Sequence, residues 1–232
     1  MEGFSLNAEL IANILHHARP LGHNEQPENA NLGFGFLYYG MVRALRPKHV
    51  LVIGSGFGFS VVCLALGLKD NAKGKLTFVD PSYDVFKEGF FKTLGGRGMW
   101  STPEEVARHF GIFGVQDLVT HYRLRNRDFF PRYESLGLPV VDLAFVDGNH
   151  SYENVRFDFM ETLMRSRKNT YIFLHDTNIY IREMLRHAGV KKWFNGVKRR
   201  KDLFECLNFP FSSGVAIVHV LQDEAWRHVN PE

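Results

Sequence analysis

The stretch His49-Val50-Leu51-Val52-Ile53-Gly54-Ser55-Gly56-Phe57-Gly58-Phe59-Ser60 constrains this chain most. A short apolar strand runs directly into glycines at 54, 56 and 58, and an apolar helical pattern follows from Val61 to Leu68. The unit is strand, turn and helix, and the turn carries almost no side chains. Such a turn lets backbone N–H groups and a helix N-terminus come close to a ligand. The spacing also selects among ligands. A dinucleotide fingerprint needs glycine at 54, 56 and 59. Here the third glycine is at 58 and Phe stands at 59. That argues against a nicotinamide or flavin dehydrogenase and for a different adenosine cofactor.

Composition narrows the class. The chain has 232 residues, 45% hydrophobic and 14% aromatic, enough for one domain with a large core. A net charge of +3 is too weak to imply nucleic acid by itself. Lys191-Lys192 and Lys198-Arg199-Arg200-Lys201 have no aromatic platform beside them and read as a solvated face. Cys63 and Cys206 lie in apolar runs, as buried thiols of a reducing compartment do, so a cytoplasmic location is expected. No apolar run approaches the roughly 18 residues of a membrane span. No signal peptide is expected from Met1-Glu2-Gly3-Phe4, and the sequon Asn149-His150-Ser151 reads as a chance match.

Along the chain, strands and helices alternate. Leu6, Leu10, Ile11, Ile14 and Leu15 recur at helical spacing, so an amphipathic N-terminal helix is expected, and a homodimer is compatible with it. A polar loop covers 22–31, and a second helix spans Phe36 to Leu45, ending before Pro47. Strands are predicted at 50–53, 75–79, 118–123, 142–146, 171–174, 202–207 and 215–220. Helices are predicted at 59–68 and across Val155, Phe159 and Leu163. The last two strands are too close for a helical crossover and should pair antiparallel. Segment 82–113 reads as one or two helices around a mobile turn, Gly95 to Gly98. Thr102-Pro103-Glu104-Glu105 in it forms a capping box with Pro at the first helical position. The expected architecture is a doubly wound, Rossmann-like α/β sheet, mostly parallel and seven-stranded, with an antiparallel C-terminal strand. The whole chain, 1–232, reads as one domain, with an N-terminal helical part over about 1–45 and a lid-like insertion over about 82–113.

In such a sheet, ligands sit at the carboxyl ends of the strands. Asp80 ends the second strand and can accept two hydrogen bonds from a ribose diol, or else form a turn before Pro81. Asp147 ends another strand, and His175-Asp176 ends its neighbour. These donors suit a hard or borderline divalent ion such as Mg²⁺ or Mn²⁺, with capping and turn hydrogen bonds as the alternative. His150 stands three residues past Asp147, at the start of a helix. An imidazole there can take a proton from a substrate hydroxyl, or simply cap the helix. Tyr83, Phe86, Phe91, Met99 and Trp100 can wall an acceptor pocket or belong to the core.

Together these motifs resemble class I S-adenosylmethionine-dependent methyltransferases. The likeness is greatest to small-molecule O-methyltransferases of the catechol, macrolide-sugar and cephalosporin-biosynthesis types. It covers roughly residues 31–180. Gly54 through Gly58-Phe59-Ser60 matches the family's first motif, Asp80 its acid after strand two, Asp147 its metal-ligating acid, and His150 its basic residue three positions on. His175-Asp176 falls on its acidic or amide pair. The chain departs from the pattern at Val52, where the family often has an acid, and at Leu124 to Asp128, where a small glycine-containing segment holds adenine.

The resemblance implies a methyl transfer from S-adenosylmethionine to a hydroxyl of a small molecule. The cofactor would lie on Gly54, Ser55, Gly56, Gly58, Phe59, Ser60, Asp80, Asn126, Arg127 and Asp147. A divalent ion, Mg²⁺ or Mn²⁺, would lie on Asp147, His175 and Asp176. His150 would act as the base, with Asp147 beside it. Neither nucleic acid nor membrane is expected as a partner. The alternatives are a metal-independent methyltransferase, on a small molecule or RNA, and a non-catalytic protein keeping the fold.

Overall fold

A computed structural model of the chain describes residues 4–82, 99–178 and 189–229, together with the backbone of 86–88 and 91–93. Strand β1 (His49–Ile53) is buried along its whole length. Val50 and Val52 pack into one apolar cluster, and Leu51 and Ile53 into another on the opposite face. A strand covered on both sides needs an unbroken apolar run, and that is what precedes the glycine turn. Helix α1 (Ala8–Asn13), helix α2 (Phe34–Leu45) and helix α3 (Phe59–Asp70) cover the first face. Every residue of α3 from Phe59 to Leu68 is buried, so its sequence is apolar all round. A Cβ on its Gly67 would meet Val42 Cβ at 2.7 Å, and the missing side chain lets α2 lie directly on α3.

The remaining strands are β2 (Lys75–Val79), β3 (Phe86–Glu88), β4 (Phe91–Thr93), β5 (Val119–Tyr122), β6 (Val141–Val146), β7 (Ser166–His175), β8 (Phe204–Phe209) and β9 (Val215–Val220). The main sheet has seven strands in the order β5-β2-β1-β6-β7-β9-β8. The first five run parallel; β9 pairs antiparallel with both β7 and β8. The order reverses between β1 and β6, which opens a crevice at their carboxyl ends. Helix α4 (Pro103–Gly111) sends Val106 and Phe110 into the first apolar cluster. Helix α5 (Asn126–Phe129) follows β5. Helices α6 (Tyr152–Met164) and α7 (Gly189–Val197) cover the other face of the sheet.

Several expectations need correction. The segment 82–113 is not only helical. A two-stranded antiparallel hairpin, β3 with β4, precedes α4. The capping box forms as expected, Thr102 Oγ1 accepting from Glu105 N–H at 3.2 Å and Glu105 accepting from Thr102 N–H at 3.1 Å. Gly95 to Gly98, Tyr83 and the side chains of Phe86 and Phe91 lie outside the described residues. Trp100 is core, fully buried with its ring stacked on Phe110 at 5.3 Å. Helix α2 begins two residues early, at Phe34. Strand β7 starts at Ser166, because a register shift opposite Val141 and Leu143 carries it through Arg167 and Lys168. Helix α1 continues as a π turn, Ile14–Ala18, and stops at Arg19 in the left-handed conformation. Leu10, Ile11 and Leu15 pack on the core, so the apolar stripe is covered within the chain.

Candidate active site

The glycine turn works by close approach. Gly54 has φ +67°, and a Cβ there would stand 2.4 Å from the carbonyl oxygen of Asp147. Only glycine lets the ends of β1 and β6 meet, tied by Asp147 N–H to Ile53 O (2.8 Å), while Gly54 N–H bonds Val79 O at the end of β2 (2.9 Å). Gly56, at φ +47°, has nothing within 4 Å of its Cβ position and marks the open side of the turn. The hydroxyls of Ser55 and Ser60 bond each other at 2.6 Å, and Phe59 is buried in the core. Gly58 caps α3 with φ +89°.

Asp80 is buried at the end of β2 and accepts from Ser82 N–H at 2.7 Å. Burial raises its pKa to about 6, against the lowering effect of that hydrogen bond. The structure places Asn126 and Arg127 on α5 with both side chains engaged by α6. Asn126 Nδ2 donates to the two carboxylate oxygens of Asp158 at 2.8 and 2.9 Å, and the Arg127 guanidinium lies 4.7 Å from the Phe157 ring.

Asp147, His150, His175 and Asp176 converge beside the turn. His150 Nδ1 lies 2.8 Å from Asp176 Oδ2, and its Nε2 lies 3.3 Å from Asp147 Oδ1. His175 Nδ1 stands 3.0 Å from Asp147 Oδ1 and 3.3 Å from Asp176 Oδ1; its Nε2 faces the Gly22 carbonyl at 3.2 Å. Burial by itself would lower both imidazoles. The charge of Asp176 and the hydrogen bonds to both carboxylates overcome it at His150 and push it up to about 10. Asp147 and Asp176 likewise raise His175 to about 9. Asp147, which burial alone would raise, is held at about 2 by His175 and His150. Both carboxylates thus favour the protonated form of both imidazoles. Asp176 takes φ +65°, a strained turn that aims its carboxylate back at the cluster.

One member is missing from the sequence reading. His23, buried in the loop after the π turn, lies against His175 and bonds the Tyr38 hydroxyl through Nδ1 at 2.9 Å. No spacing rule links residue 23 to 175; only the fold brings them together. Donor atoms of His23, Asp147 and His175, and of Asp147, His150 and Asp176, lie within 4.8 Å of one another in each set.

A family model described as a methyltransferase domain matches residues 51–177, which include the glycine turn, Asp80 and this whole cluster except His23. The chain belongs to that methyltransferase family. The methyltransferase fold extends beyond the matched segment. The O-methyltransferase TomG from Streptomyces achromogenes, involved in tomaymycin synthesis and solved in complex with S-adenosylmethionine, superposes with a TM-score of 0.63 at 18% identity. The match covers 95% of this chain and 91% of that one. An O-methyltransferase from Bacillus cereus in complex with S-adenosylhomocysteine gives 0.63 at 16% identity, covering 95% and 92%. A methyltransferase from Geobacter sulfurreducens gives 0.59 at 18%, covering 92% and 90%. An uncharacterised protein of Sinorhizobium fredii is 25% identical over 196 residues; this methyltransferase spans 20% of its length. Among the described residues, no helix is long and apolar enough to cross a membrane.

Proposed function

We propose that this methyltransferase moves the methyl group of S-adenosylmethionine to a hydroxyl of a small molecule, with a divalent ion assisting. One observation carries the reading: the open glycine turn and the acid–imidazole cluster share an edge, Gly54 lying against the backbone of Asp147. The turn fits the donor because Gly56 leaves an uncovered cradle and Asp80 offers a carboxylate beside it. Bound there, the donor would supply an electrophilic methyl.

The donor set also fits an ion. Adjacent ligands around an ion with bonds of about 2.1 Å stand about 3 Å apart, and His175 Nδ1 meets both carboxylates at that spacing. Two oxygens and one nitrogen suit Mn²⁺ better than Mg²⁺. Asp147, Asp176 and His175 would hold it, and it would lower the pKa of an acceptor hydroxyl.

The chain's own residues do the rest. Asp80 accepts from the ribose hydroxyls and fixes the donor along the crevice. Asp147 and Asp176 hold His150 from both sides. A bound sulfonium's positive charge would favour loss of the His150 proton to solvent, and the neutral imidazole would then be the base that the acceptor hydroxyl needs. A small-molecule acceptor suits the basic residues of α7 and beyond, which are engaged locally: Lys192 lies over Tyr152, Lys198 over Phe194, and Arg200 pairs with Asp202. Metal-independent transfer is the second reading, supported by the contacts that already hold both imidazoles against the two carboxylates.

The test is methyl transfer from labelled S-adenosylmethionine to a panel of phenols, catechols and hydroxylated sugars. Each assay is run as prepared, with EDTA, and with Mn²⁺ or Mg²⁺ restored. Turnover lost to EDTA and restored by the ion supports the first reading. Turnover indifferent to EDTA supports the second. Donor binding with no acceptor methylated across oxygen nucleophiles would count against both.

A further inference from the structure

A cavity of about 390 Å³ opens between the glycine turn and the N-terminal π turn, lined by His16, His17, Arg19, Phe57, Met99 and His109. The lining contains no carboxylate, so its field favours an anion. Arg19 is the strongest cation there. Its guanidinium carbon lies 5.4 Å from the centroid of the Phe57 ring. Phe57 is the turn residue between Gly56 and Gly58, so Arg19 is held over the bend itself. It is exposed, and it belongs to none of the ion pairs found among the described residues. Its backbone is left-handed, φ +40° and ψ +69°, a conformation an L-residue takes at a cost.

We infer that Arg19 is a cofactor-binding residue whose guanidinium takes the α-carboxylate of the methyl donor's methionine tail. The inference rests on the donor reading above. A donor seated on the turn with its ribose at Asp80 has its amino-acid end to place elsewhere along the crevice. That end carries one carboxylate. Val52, where the family often has an acid, is buried in the core and offers the tail's positive group no carboxylate. Arginine presents a planar fork that matches a carboxylate through two hydrogen bonds. The N-terminal segment thereby becomes part of the cofactor site, although the family match begins only at residue 51.

The experiment compares two ligands on the full chain by calorimetry. S-adenosylhomocysteine carries the amino-acid tail; 5′-methylthioadenosine lacks it. Wild type should bind the first more tightly than the second. Arg19→Ala should weaken S-adenosylhomocysteine by about tenfold, the low end for a charge-assisted hydrogen bond because the site is open to water. Binding of 5′-methylthioadenosine should stay unchanged. Arg19→Lys, keeping charge without the fork, should fall between. Equal S-adenosylhomocysteine affinity in wild type and Arg19→Ala overturns the inference. So does a parallel loss of both ligands, since a carboxylate contact cannot weaken a ligand without one. Unchanged S-adenosylhomocysteine affinity with a raised KM for the acceptor would move the anion to the acceptor and also overturn it. If wild type binds neither ligand, the donor reading falls with it.

Discussion

The imidazole of His23 lies stacked on that of His175, ring centroids 4.2 Å apart and planes 23° from parallel. Burial and the neighbouring His175 charge lower His23 to about 3, so it stays neutral beside a cation. The adjacent Gly22 carbonyl faces His175 Nε2. The loop after the first helix thus holds the strand-end imidazole in two ways, by a ring and by a carbonyl. His23→Ala should cost about 2–4 kcal/mol of stability, from the cavity and from the Tyr38 hydroxyl left buried without its partner. His23→Phe should recover the packing share only. Urea unfolding of the two variants checks this, and equal midpoints for wild type and His23→Ala would refute it.

His150 is expected to set the rate and not the affinity. General-base groups contribute about 10²–10⁴-fold. His150→Ala should therefore slow kcat by that order while S-adenosylhomocysteine binds as before. Single-turnover methyl transfer with a responsive acceptor measures the first quantity and calorimetry the second. Full turnover in the variant discards the assignment.

Much of this arrangement is legible in the sequence, because local chemistry fixes it. The glycines announce the turn, the apolar run of β1 announces a doubly covered strand, and Asp80, Asp147 and His175 mark strand ends by position alone. The hairpin of β3 and β4 is missed because Phe86-Lys87-Glu88 and Phe91-Lys92-Thr93 are too short for period two to outweigh a helical reading of the segment around them. His23 and Arg19 are missed for a different reason. Their roles depend on where an N-terminal loop lands, and neither periodicity nor motif spacing encodes that. Asn126 and Arg127, expected at the cofactor, have side chains that also contact Asp158 and Phe157 of α6, contacts that no local motif encodes.

Gly54 and Gly56 should respond differently to alanine. At Gly54 the new methyl would meet backbone at 2.4 Å, so β1 and β6 must part; a loss of more than about 2 kcal/mol and of donor binding is expected. At Gly56 the methyl meets no protein atom within 4 Å, and the cost to folding is limited to about 1–2 kcal/mol of backbone strain at φ +47°. Its methyl instead projects where the donor would lie. Gly56→Ala should thus fold, melt slightly early and bind S-adenosylhomocysteine poorly. Thermal melts with and without ligand separate the cases: a folded Gly56→Ala stabilised by ligand as much as wild type would deny the cradle.

Asp80 gives the pH dependence its sign. Its folded pKa, raised by burial to about 6, exceeds that of an unfolded aspartate, about 3.9. The protonated form is the one the fold prefers. Its contribution to stability is present below about pH 4 and is lost as pH rises through about 6. Donor binding runs the other way, because ribose hydroxyls donate to a carboxylate and so favour the ionised form. Affinity for S-adenosylhomocysteine should climb from about pH 5 to about pH 7 and level off above, with a slope of at most roughly tenfold per pH unit. Asp80→Asn removes the titration. That variant should match or exceed wild-type stability at about pH 7.5, lose this advantage toward about pH 4, bind the ligand more weakly at neutral pH and show a flatter profile. Calorimetry across that range on both proteins isolates Asp80, since every other group is the same in each. Parallel profiles in wild type and Asp80→Asn would remove Asp80 from the ribose site.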